Sequence, residues 1–111
     1  MSKNEIQTKV IPSIVEKIVK YYQPEKIILF GSYAYGEPDD DSDIDFLIIK
    51  ESDNKRRMDS FVEVKRIIYD PKLKTPVSPL ILTKEELQER LNIGDDFIKE
   101  IISKGEIMYE R

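Results

Sequence analysis

The sequence predicts an α/β (α+β) fold with a small mixed sheet flanked by helices. Three observations carry this. The runs Lys26–Phe30 and Asp43–Lys50 are almost continuously apolar and read as strands buried on both faces. A third run, Pro76–Leu82, has the same character. Segments with helical spacing of apolar residues lie around and between them, giving the order α-β-α-β-α-β-α-α.

Each element has its own signal. Ile6, Val10, Ile14, Ile18 and Tyr22 repeat every four residues, and Val15 and Val19 widen the stripe. Pro12 interrupts this pattern, so it either kinks the helix or marks its first turn. The favoured reading starts the helix near Pro12, after a looser turn, and ends it at Gln23-Pro24. Strand Lys26–Phe30 runs into Gly31-Ser32, with Ser32 the expected N-cap of one helical turn closed by Gly36. An acidic loop, residues 37–42, precedes the second strand. Ser52 or Asp53 caps a helix from about Asn54 to Tyr69, with Met58, Phe61, Val62, Lys65 and Ile68 on its inner face. Pro79 within the third strand suits an edge, a bulge or a strand start. Thr83 and Glu86 form a capping box for a helix to about Leu91. Gly94-Asp95-Asp96 opens a last helix, with Gly105 its C′ residue, and Glu106–Tyr109 can add a short terminal strand.

At 111 residues, the chain reads as one domain spanning 1–111. Its 40% hydrophobic and 36% charged content fits a soluble globule rather than a disordered chain. Neither a membrane-spanning run nor a secretory h-region is apparent, so the expected location is cytoplasmic. Cysteine, histidine and tryptophan are absent. That excludes disulfides, thiolate nucleophiles and histidine bases. Carboxylates, hydroxyls, lysines, backbone groups or a hard cation remain. A net charge of −4 argues against direct binding of duplex DNA.

The candidate chemistry sits at Gly31-Ser32 and Asp43-Ile44-Asp45. Residues two apart on a strand share a face, so Asp43 and Asp45 lie side by side. Adjacent carboxylates repel unless a cation sits between them, and Mg²⁺ commonly takes one or two carboxylates plus substrate phosphates. Alone, Asp-x-Asp beside Asp39, Asp40 and Asp41 more often marks a solvated strand start. Gly31 lets backbone approach a ligand, and Ser32 with the following amides can donate to phosphate. Alone, Gly-Ser is more often an ordinary turn.

Together, Gly31-Ser32, ten intervening residues and Asp43-Ile44-Asp45 resemble the minimal nucleotidyltransferases of the DNA polymerase β superfamily. The flanking Ile28-Leu29-Phe30, Ala34, Gly36 and Ser42 fit as well, and the resemblance covers nearly the whole chain. It implies a nucleotidyltransferase fold binding ATP or another nucleoside triphosphate. Gly31 and Ser32 would hold phosphates, and Asp43 and Asp45 would be the catalytic, Mg²⁺-binding residues of a two-metal site.

The sequence departs from the family pattern at two places. A third carboxylate normally follows the Pro-Val pair of the next strand; here Pro76-Val77 is followed by Ser78. The second metal position is thereby weakened. Many members also carry an arginine where Tyr35 stands. The resemblance implies a partner as well: a small helical HEPN toxin, with the transferase acting as antitoxin by adding AMP to it. The alternative is a weak or inactive transferase that works by binding its partner. Leu87, Leu91, Phe97 and Ile101 on the last helices read as core rather than interface.

Overall fold

A computed structural model describes residues 1–51 and 56–111. The elements are α1 (Lys3–Glu5), a π-helical segment (Ile6–Val10), α2 (Ile11–Tyr22), β1 (Lys26–Phe30), α3 (Ser32–Tyr35) and β2 (Ile44–Lys50). There follow α4 (Arg57–Ile68), β3 (Val77–Thr83), α5 (Lys84–Asn92), α6 (Asp96–Lys104) and β4 (Glu106–Glu110). The four-stranded sheet has the order β3-β2-β1-β4. Strand β1 is antiparallel to β2 and β4, whereas β2 and β3 run parallel across the α4 crossover, so the sheet is mixed as expected.

Strand alternation divides the core into two layers. Ile27 and Leu29 of β1 and Ile44, Phe46 and Ile48 of β2 pack with Ile14, Ile18 and Tyr22 of α2 and Val64 and Ile68 of α4. Ile28, Phe30, Leu47, Ile49 and Leu82 face the other way, toward Ile98 and Ile101 of α6, with Leu87 and Leu91 of α5 against them. Each fully buried aliphatic side chain contributes roughly 1.5–3 kcal/mol of transfer free energy. With helices on both faces, the central strands need apolar residues at every position, which is why they read as continuous runs.

As the favoured reading has it, Pro12 falls in the first turn of α2, which starts at Ile11 after a looser, π-helical turn. Helical structure runs from Lys3 to Tyr22, and the Ile11 amide reaches back five residues to the Ile6 carbonyl. The widened turn accommodates a ring that would otherwise press on the carbonyl four residues before it. Helix α2 ends as expected, with Gln23 in the left-handed region at φ 55°.

Helix α4 corrects the expected inner face. Ser60, Val64 and Ile68 are its buried residues, while Met58, Phe61 and Val62 are exposed. These three recur every four residues and so share one face, which is the face that docks on the sheet and α2. The expected caps Ser52 and Asp53 lie outside the described residues. Strand β3 is an edge strand, which accounts for Pro79. The Thr83–Glu86 capping box is present, and Asp95 caps α6 through the Phe97 and Ile98 amides.

Gly105 is also corrected. Its φ of −66° is not left-handed, so backbone freedom is not its purpose. A Cβ there would lie 2.5 Å from the Ile101 carbonyl oxygen and 2.5 Å from Ile28 Cγ2. Glycine is needed because α6 turns into β4 directly against β1. Gly105→Ala should therefore destabilise the fold by about 1–3 kcal/mol, as overpacking does, with no effect traceable to φ. Urea denaturation measures this; an unchanged midpoint would show that the junction relaxes freely.

Candidate functional site

The antiparallel register of β1 and β2 pairs Phe30 with Asp45. Gly31 therefore leaves β1 where the carboxylates arise, and the two halves of the motif meet at one end of the sheet. The parallel register of β2 and β3 pairs Asp45 with Ser78. All the residues singled out from the sequence converge here: Gly31, Ser32, Asp43, Asp45 and Ser78.

Gly31 has φ 74° and ψ −157°, a conformation open to glycine almost alone. A Cβ on Gly31 would also overlap Asp45 Oδ2. Gly31, not Ser32, is the N-cap of α3, and Ser32 is its first helical residue. The Gly31 carbonyl accepts from the Ala34 and Tyr35 amides, at 3.0 and 3.1 Å. The amides of Ser32 and Tyr33 are then the first-turn donors that a helix cannot satisfy internally. At the other end of α3, the Gly36 amide donates to the Ser32 carbonyl, and Gln7 Nε2 donates to the Tyr33 carbonyl at 3.3 Å. Gln7 gave no sequence signal, because nothing in its helix shows which loop it will meet.

Asp43 lies one residue before β2, and Asp45 lies within it, flanking the fully buried Ile44. Asp45 takes the same place in the strand alternation as Leu47 and Ile49, so it projects onto the α5–α6 face of the sheet. Ser78 occupies that face too, in line with Leu80 and Leu82. Its Oγ donates to Asp43 Oδ2 at 3.5 Å, the long limit of a hydrogen bond. In the acidic loop, Asp39 Oδ1 accepts from the Asp41 amide and Ser42 Oγ accepts from the Asp39 amide, both at 2.9 Å.

Burial, and secondarily the charge of Asp43, push the Asp45 carboxyl up to about 6. The donor set suits a hard cation: two adjacent carboxylate groups, one of them ionised against resistance. Among the described residues, no group of three or more acidic or histidine side chains is placed to hold a metal ion. A cavity of about 230 Å³, lined in part by Lys50, Arg57, Ser60 and Thr83, lies at the other end of β2 and β3.

A carboxyl whose pKa rises on folding stabilises the protein below its unfolded value and loses that contribution as pH rises through the folded value. Ionised Asp45 is thus a cost at neutral pH. Asp45→Asn should stabilise the protein at pH 7.5 by about 1 kcal/mol, roughly a third of the full linkage value because the group is partly solvated. The gain should shrink to a few tenths of that by about pH 4.5. Urea titrations at the two pH values decide this, and a gain that did not depend on pH would overturn the assignment of strain to the charge.

No helix among the described residues is long and apolar enough to cross a membrane. Comparison with protein families matches the nucleotidyltransferase domain over residues 11–107. Two Methanocaldococcus jannaschii proteins, both named as candidate protein adenylyltransferases, are similar in sequence. One is 33% identical over 82 residues, 73% of this chain and 75% of that protein. The other is 27% identical over 105 residues, 93% of this chain and 98% of that protein. A crystal structure of a candidate nucleotidyltransferase from Sulfolobus solfataricus shares the fold, with a TM-score of 0.65, 22% identity, and coverage of 100% of this chain and 89% of that one. With a family match over residues 11–107, nearly the whole chain, the chain belongs to the nucleotidyltransferase domain family.

Proposed function

We propose that this protein is a Mg²⁺-dependent nucleotidyltransferase that binds ATP, or another nucleoside triphosphate, and transfers AMP to a partner protein. On this reading the acceptor is a HEPN toxin, and the protein is its cytoplasmic antitoxin. The observation that carries the proposal is the fit of Gly31 against Asp45, which puts a donor-rich turn beside two carboxylates.

Residue roles follow from placement. The amides of Ser32 and Tyr33 and the Ser32 hydroxyl would donate to phosphate oxygens. Asp43 and Asp45 would hold the cation, which supplies charge neutralisation for the triphosphate when bound. In the transfer, an acceptor hydroxyl oxygen bonds to the α-phosphorus. The bond from that phosphorus to the bridging oxygen breaks, pyrophosphate leaves, and the acceptor proton is lost. Ser78 is a poor base for that proton. A phenol, with an intrinsic pKa of about 10, gives up its proton far more readily than an alkyl hydroxyl, so a tyrosine acceptor suits this site. The names of the M. jannaschii relatives support a protein acceptor.

Ser78 also favours a second reading, in which the domain neutralises its partner by binding alone. The two readings separate in one experiment. With α-labelled ATP and the co-expressed HEPN partner, the enzyme should label the partner, and Asp43→Asn or Asp45→Asn should lower the rate by about 100-fold or more. No transfer by the wild type, with neutralisation retained in both variants, would establish the binding-only reading. Ser78→Asp should raise the rate or tighten Mn²⁺ binding measured by calorimetry; no change in either would mean that Ser78 is not the limiting position.

A further inference from the structure

Phe97 is half exposed, although it opens the amphipathic helix α6, whose Ile98 and Ile101 are fully buried. Its ring meets Phe30 edge-on, with centroids 5.7 Å apart and planes at 81°. Phe30 pairs across the sheet with Asp45. Paired residues on antiparallel strands project to the same face, so Phe30, Asp45 and Ser78 all lie on the α5–α6 side. Phe97 therefore presents exposed aromatic surface on the face that carries the carboxylates. With neighbouring paired residues about 5 Å apart, its ring lies on the order of 10 Å from them. That matches the reach from the phosphates of a nucleotide, across its ribose, to its base.

We propose that Phe97 is the platform on which the nucleobase stacks. This rests on the nucleotide-binding reading above and adds a subsite to it: phosphates at Gly31-Ser32, cation at Asp43 and Asp45, base on Phe97. The T-shaped contact with Phe30 helps to hold the Phe97 ring in place, and half of the residue stays exposed. Half exposure leaves area for a base at little conformational cost. A bare phenyl ring offers no hydrogen bonds, so the platform selects for π surface and ranks purines above pyrimidines without reading their edges.

The test compares ATP with inorganic tripolyphosphate, which has the phosphates and no base. Calorimetry in Mg²⁺ should show Phe97→Ala binding ATP about five- to ten-fold more weakly, with tripolyphosphate affinity unchanged. The chain has no tryptophan, so Phe97→Trp introduces a single indole, which can be excited at wavelengths where the tyrosines do not absorb. Its emission should be quenched by ATP and not by tripolyphosphate, whatever Phe97→Ala does to folding. Equal losses for both probes in Phe97→Ala, or no base-dependent quenching in Phe97→Trp, would overturn the platform. Wild type that binds neither probe would instead remove the nucleotide-binding reading, and the platform with it.

Discussion

The close approach of the Gly31 backbone to the Asp45 carboxylate is the contact on which the site depends. Any side chain at Gly31 would overlap Asp45 Oδ2, and the backbone there takes a conformation reserved for glycine. The approach exists because β1 and β2 are antiparallel with Phe30 opposite Asp45. One residue of slip would turn Asp45 into the Ile27–Phe46 layer, and Ile44 or Phe46 out of it. Register is fixed by the burial of the neighbouring aliphatic residues, so the core of the fold and the geometry of the site are one constraint.

That constraint has a cost in charge. The strand alternation that buries Leu47 and Ile49 also carries Asp45 partly out of water, next to Asp43. A third carboxylate at the Ser78 position would face both aspartates and add to the repulsion. Serine there lowers the charge of the cluster and gives Asp43 a weak donor instead. The electrostatic load on the fold is smaller, and so is the attraction of the cluster for cations.

Much of this was legible in the sequence because the relevant signals are local or periodic. Continuous apolar runs marked β1 and β2, and the interval from Gly31-Ser32 to Asp43-Ile44-Asp45 marked two segments that the fold brings together at one end of the sheet. The Thr83–Glu86 box marked the start of α5. What escaped depended on docking. Helix α4 carries apolar residues on more than one side, and only contact with its neighbours selects Ser60, Val64 and Ile68 over Met58, Phe61 and Val62. Gly105 looked like a helix terminator and is a packing glycine. Phe97 reads as core by composition, yet it lies just after the Asp95 cap at a helix start, where half of the residue stays exposed.

The proposed transfer would link Ser78 to the acceptor through proton chemistry. On the proposed reading, nothing among Gly31, Ser32 and Ser78 accepts a proton well at neutral pH, and the aspartates are committed to the cation. The attacking hydroxyl must then arrive partly ionised, or lose its proton to solvent or to the acceptor's own surroundings. Acceptors with lower pKa values are favoured over alcohols, and a base carried by the partner would substitute for the one missing here. A nucleotidyltransferase built this way holds the phosphates and cation itself and leaves activation of the nucleophile to the protein it modifies. Its specificity would reside as much in the chemistry of the acceptor as in any groove of its own.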